Sequence, residues 1–152
     1  MSRNIFIAIA AAIVGALIVV FYYIIVPPAP LPPPGAPVAC NTPNCPIAVT
    51  VYGDCSNANV IAAYPDPLPV KRGNGNPNIE WTIGDEYPYT FAANGIDFHG
   101  DPQFTNGNRQ GPKKFKWMDK NSDDQYHKYA INLLRADGSA CPTKDPGVIN
   151  GR

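Results

Sequence analysis

The chain has 152 residues, with 12 Lys and Arg against 12 Asp and Glu and a formal net charge of zero. Charged side chains make up 16% of it, below the ~25% usual for globular domains. Arg3 aside, 11 basic residues face 12 acidic ones. That balance argues against an electrostatic binder of nucleic acid, which needs clustered Lys and Arg to displace counterions.

Residues 1–4 precede an apolar run, Ile5 to Val26, of 22 residues without a charge, amide or proline. As a helix rising 1.5 Å per residue it would span about 33 Å, against a hydrocarbon core of about 30 Å. Tyr22 and Tyr23 near its far end suit the headgroup zone. Arg3 is the only charge at its start, and no Lys or Arg follows until Lys71. The positive-inside bias therefore predicts residues 1–4 in the cytoplasm and the rest exported. The rival reading, a cleaved signal peptide, expects an apolar stretch of about 7–15 residues and a small-residue cleavage site. Here Ala29 and Ala36 are each followed by proline. The run reads as an uncleaved signal anchor, a single span of the inner (cytoplasmic) membrane. Ala8, Ala12 and Ala16 recur every four residues with Gly15 alongside, a spacing that lets two helices approach and a homo-oligomer form. The plainer reading is that alanine is common in such helices.

From Pro27 to Pro37, seven of eleven residues are proline. The 27–39 segment reads as a semi-rigid polyproline II spacer of roughly 3.1 Å per residue.

Residues 40–152 read as an exported all-β domain. Ile47, Val49 and Val51 alternate with Ala48, Thr50 and Tyr52, and Ile79, Trp81 and Ile83 with Glu80 and Thr82. Phe115 and Trp117 alternate with lysines, and Tyr129, Ile131 and Leu133 with Lys128, Ala130 and Asn132. Such period-two patterns describe half-buried antiparallel strands. Val60–Ala63, Tyr89–Phe91 and Val148–Ile149 are shorter candidates. Asp66-Pro67, Gly73-Asn74-Gly75, Asn94-Gly95, Asn106-Gly107 and Asp137-Gly138 are the turn signals. About seven strands predict a Greek-key β-sandwich, Ig-like or cupredoxin-like, with Trp81, Phe91, Trp117, Tyr129 and Ile131 in its core.

Cys40, Cys45, Cys55 and Cys141 all lie beyond the apolar run and are even in number, so export predicts two disulfides. Of the three pairings, Cys40–Cys45 with Cys55–Cys141 is preferred, because the second ties the first strand region to the C-terminal tail.

Ile79-Glu80-Trp81-Thr82-Ile83, Tyr89-Thr90-Phe91, Asn94-Gly95-Ile96, Lys128-Tyr129 and Asp145-Pro146-Gly147-Val148-Ile149-Asn150 together resemble small uncharacterised exported β-domain proteins of bacteria. The likeness spans residues 47–150 and implies a fold but no activity. Pro69-Val70-Lys71-Arg72-Gly73 leading to Ile79-Glu80-Trp81 is similar, more loosely, to cupredoxins. A blue-copper site needs two His and a Cys, usually with Met, and His99, His127, Cys141 and Met118 are the residues available. Cys141 is followed by Pro142 and Thr143 with no later His or Met, which departs from the cupredoxin loop and weighs against copper.

Asp119, Asn121 and Asp123 place oxygens at alternate positions, as calcium loops do. An EF-hand would also want glycine sixth and glutamate twelfth, where Asp124 and Ala130 stand. A polar turn between strands is the plainer account. Lys113, Lys114, Lys116 and Lys120 form the basic cluster, which reads as a solvated strand face. No G-x-S-x-G or comparable nucleophile motif occurs. The expectation is a non-catalytic, membrane-anchored domain, periplasmic or extracellular, that binds or assembles with a protein partner in the envelope. A calcium-binding (less readily copper-binding) domain is the first alternative, and a hydrolase of envelope polymers the second.

Overall fold

The computed structural model of the chain describes residues 37–151. The span 5–26, its Ala8, Ala12, Gly15 and Ala16 stripe, and the spacer up to residue 36 lie outside the described residues. Among the described residues, no helix is long and apolar enough to cross a membrane.

The domain is mostly β. Its strands are β1 (Asn44–Val51), β2 (Ile61–Tyr64), β3 (Leu68–Val70), β4 (Asn78–Ile83), β5 (Thr90–Asp97), β6 (Phe104–Gly111), β7 (Lys114–Asp119), β8 (Tyr126–Lys128), β9 (Ala130–Leu134) and β10 (Gly147–Asn150). They form a five-stranded sheet ordered β2-β1-β4-β7-β6, a three-stranded sheet β3-β10-β8 and a two-stranded sheet β5-β9.

The antiparallel expectation holds only in part, because the two larger sheets are mixed. β1 runs parallel to β4, with Ile47 opposite Trp81, and β10 runs parallel to β3, with Val148 opposite Leu68. Parallel neighbours need a crossover rather than a tight turn, and residues 52–77 and 71–146 supply the two connections.

Alternation sets the buried faces. Cys45, Ile47, Val49 and Val51 of β1 and Ile79, Trp81 and Ile83 of β4 are buried, while residues between them face outward or are half-buried. These side chains join Phe115 of β7, Leu68 and Val70 of β3, Val148 of β10, Phe91 and Ile96 of β5, and Ile131 and Leu133 of β9 in one hydrophobic cluster. All three sheets thus share one core. Trp81 is at its centre, edge-on to Tyr129 at 5.2 Å and to Phe98 at 6.0 Å between ring centroids. Burying each such side chain stabilises the fold by about 1.5–3 kcal/mol.

Of the five core candidates, Trp81, Phe91, Tyr129 and Ile131 are fully buried. Trp117 is only half-buried and packs against the cluster from outside. Its indole lies over Gly107, where an added methyl would overlap the ring, and its Nε1–H donates to the Ile96 carbonyl at 3.0 Å. Two of the turn signals also prove to be something else. Asn94-Gly95 lies within β5 and Asn106-Gly107 within β6, each where the pairing register shifts. Asn106 takes the left-handed conformation with φ 57°. Both are bulges, which use the same permissive residues as turns without reversing the chain.

Both expected disulfides are present, Cys40–Cys45 and Cys55–Cys141, and none of the described cysteines is free. Around the second, Arg135 donates to the carbonyls of Cys55 at 3.2 Å and Ala140 at 2.7 Å, so the bridged segments are also tied by a guanidinium.

Candidate functional site

The most distinctive chemistry lies where β6, β7, β8 and β10 end close together. His127, in the middle of β8, turns its side chain inward and is buried, because the β8 neighbours Tyr126 and Lys128 take the outward positions. Its ring meets Phe104 edge-on at 5.2 Å between centroids. Its Nδ1 lies 2.7 Å from Asp101 Oδ2 and its Nε2 lies 3.0 Å from Asp123 Oδ1. Both ring nitrogens are therefore engaged by carboxylates from different loops.

Asp119 closes β7 and is fully buried. Its Oδ1 accepts the Asn121 backbone N–H at 2.8 Å and the Asn150 amide at 3.3 Å. That Asn150 amide also reaches Asp123 Oδ1 at 3.4 Å, placing it between the two carboxylates. In the orientation that satisfies its neighbours, the buried Gln103 amide accepts from Asn150 Nδ2 at 2.9 Å and from the backbone N–H groups of Asn121 and Ser122, and donates to the Ser122 hydroxyl at 2.7 Å. Asn121 adopts φ 47° and donates its side-chain amide to the Lys71 carbonyl at 3.0 Å. Asp124 pairs with Arg72 on the surface.

Electrostatics follow from these contacts. Burial raises the Asp119 pKa above the ordinary carboxylate value, against hydrogen bonds from Asn121 and Asn150 that pull it down. Burial alone would lower His127, but its hydrogen bonds to Asp123 and Asp101 outweigh that and hold its pKa above 6.5. Asp123 is the converse: burial opposes its charge, yet the His127 hydrogen bond leaves its pKa lowered.

Six buried side-chain polar atoms among the described residues have no hydrogen-bond partner, and three belong to this knot: Asp119 Oδ2, Asn121 Oδ1 and Asn150 Oδ1. A buried acceptor without a donor costs about 1–3 kcal/mol, so three together are conspicuous.

The structure brings Asp119, Asn121 and Asp123 into one knot, but Asp123 Oδ1 is committed to His127 and Asn150. Among the described residues no three of His, Cys, Asp and Glu converge as a metal-ligating group. The oxygens left over are mostly amide oxygens, which hard cations also accept. Asn150, Gln103 and Asp101 carry no sequence signal linking them to this loop, since they arrive from 16 or more residues away on either side.

The copper set is not assembled. Cys141 is consumed by its disulfide, His99 is exposed beside Asp97, and His127 is held by carboxylates. For hydrolysis, His127 has no free ring nitrogen, and the neighbouring Ser122 hydroxyl bonds to Gln103 rather than to it. The basic cluster also divides. Lys113 Nζ donates to the carbonyls of Gly84, Asp85 and Tyr87 at 2.7–2.9 Å and pins that turn. Lys116 stands opposite Glu80 across β7 and β4, leaving Lys114 and Lys120 exposed. No protein-family model matches the chain, and no curated protein is significantly similar to it.

Proposed function

We propose that the chain is a membrane-tethered, extracytoplasmic binding domain: a Greek-key β-sandwich head, on a proline-rich spacer, that engages a protein of the cell envelope without catalysing a reaction. The observation that carries this reading is the pair of disulfides, Cys40–Cys45 and Cys55–Cys141, which use every cysteine of the sequence. Such bonds persist in oxidising compartments and are rare in the cytosol. The apolar run 5–26, with Arg3 before it and no further Lys or Arg until Lys71, supplies a route to such a compartment and a means of staying at its membrane. The tethered layout suits a head that presents its surface at a set distance. Crosslinking intact cells and recovering the chain from solubilised membranes tests this: a specific envelope protein is expected. Recovery of the chain alone would overturn it.

A second reading, a calcium-binding envelope domain, is supported by the three donor-less oxygens around Asp119. Heat on titrating the chelator-treated full chain with calcium chloride is its expected outcome, and a flat titration removes it.

A further inference from the structure

We propose that Cys40–Cys45 is a redox site: a dithiol entering the groove beside it reduces this bond in the folded chain, leaves Cys55–Cys141 closed, and so loosens residues 37–43. The inference rests on the disulfides alone and is independent of the tether and of the partner proposed above.

The two bridges have opposite surroundings. Cys55 and Cys141 are 0% and 7% exposed and belong to the hydrophobic cluster, and Arg135 ties the carbonyls of Cys55 and Ala140 beside them. In the other bridge Cys45 is 0% exposed, but Cys40 is half-buried and only packs against the cluster. Cys40 lines an open groove of about 270 Å³ together with Pro37, Val38, Thr42, Tyr64 and Pro65. Its Sγ lies 3.6 Å from the Thr42 hydroxyl, in an exposed contact. Val38 is 89% and Tyr64 50% exposed, and none of the described residues lining the groove is charged. A thiolate therefore approaches Cys40 without meeting a carboxylate that would repel it.

The rate of thiol–disulfide exchange depends on access and on which sulfur is attacked. With Cys45 fully buried, the dithiol attacks Cys40 Sγ and expels the Cys45 sulfur, which takes up a proton. The second thiol of the reagent then attacks its own sulfur in the mixed disulfide and releases Cys40 as a thiol. Two electrons and two protons pass to Cys40 and Cys45, and the dithiol becomes a disulfide.

The bond's position shows what its opening changes. It closes a sequence separation of 5 against 86 for the other, so it constrains the unfolded chain far less. What it does instead is join two sheets. Cys40 bridges to Val70 of β3, its N–H donating to the Pro69 carbonyl at 2.7 Å and its carbonyl accepting from Lys71 N–H at 2.8 Å. Cys45 lies in β1 of the five-stranded sheet. Between them the Thr42 carbonyl accepts the Asn74 amide at 2.9 Å. Reduction leaves residues 37–43 strapped to β3 by these few hydrogen bonds, each of modest net worth.

The full chain in detergent micelles is held in dithiothreitol without denaturant, quenched with an alkylating reagent at intervals and mapped by mass spectrometry. Amide hydrogen exchange is followed at Cys40 and Lys71. Cys40 and Cys45 are expected to be labelled at least tenfold faster than Cys55 and Cys141, and exchange at both amides to quicken at least tenfold on their reduction. The double variant Cys40→Ser with Cys45→Ser should show the quickened exchange without reductant and keep its remaining bridge as resistant as in wild type. Labelling of all four cysteines at one rate, or of Cys55 and Cys141 first, would overturn the inference. So would exchange at Cys40 and Lys71 that reduction leaves unchanged.

Discussion

The apolar centre around Trp81 and the polar knot around His127 are both buried, yet they hold the chain by different means. Around Trp81, each of three sheets contributes alternating aliphatic and aromatic residues, and contact area alone is enough. Around His127, loops and strand ends meet through charged and amide groups, each of which depends on a particular partner. An apolar cluster tolerates small errors of fit at modest cost, whereas a polar knot penalises each missing partner. The difference explains why the centre reads as architecture and the knot as a candidate site.

The largest expected effect probes the first half of that contrast. Trp81→Ala removes the fully buried ring against which Tyr129 and Phe98 pack. It should cost about 3–5 kcal/mol in a denaturant melt. A loss under 1 kcal/mol would mean that Trp81 is not the centre of the core.

Next is the covalent tie that neither region supplies. Replacing Cys55 and Cys141 together by serine opens a loop with sequence separation 86 and should destabilise by about 2–4 kcal/mol. The same melt under reducing agent should reproduce most of the loss in wild type and little in the variant.

Gly107→Ala acts at the border of the core, where Trp117 is half-buried. The new methyl would collide with the Trp117 indole, so the ring must leave its place over β6. About 1–3 kcal/mol is expected, with a shift in Trp117 fluorescence as its Ile96 contact breaks. Unchanged fluorescence would place the indole elsewhere.

The smallest effect belongs to the knot and depends on pH. His127 has its pKa raised in the folded chain, so its contribution to stability is complete below about pH 6.5 and is lost as pH rises through the folded value. Asp101 and Asp123 face it directly and Asp119 lies nearby. Asp119, also raised, shares that direction: its contribution is complete below about pH 3.8 and lost as pH rises through its folded value. Asp123, lowered, acts oppositely, with stability present above about pH 3.8 and lost as pH falls through its folded value. In calcium-free buffer, wild type should exceed His127→Gln by about 1 kcal/mol at pH 6, a gap that narrows towards pH 9. A constant gap would mean that the imidazolium is not what the carboxylates hold.

The two regions also differ in how far the sequence announced them. The strands that bury one face, such as Ile47-x-Val49-x-Val51 and Ile79-x-Trp81-x-Ile83, carry a period that survives into the structure. β6 carries none, because it is an edge strand whose Thr-Asn-Gly-Asn-Arg-Gln side chains mostly face outward and need no apolar face. Asn94-Gly95 and Asn106-Gly107 misled because the Asn-Gly pairs that suit turns also suit shifts of register within a strand. The parallel pairing of β1 with β4 was invisible, since alternation is the same in either direction. In the knot, local spacing revealed Asp119, Asn121 and Asp123, which share a loop. Asp101, Gln103, His127 and Asn150 join them only through the fold, and no local pattern carries that information. The disulfide pairing was legible because one bridge is local and the other joins what remains.

A disulfide-bonded head that is exported and tethered to a membrane, as proposed, lies open to protease outside the cytoplasm. Protease added to spheroplasts of cells expressing the full chain checks this. The expected result is digestion of the head from outside, with residues preceding it kept in the membrane pellet. A chain that resists protease until the spheroplasts are lysed, or that leaves the membrane on washing with carbonate, would contradict it.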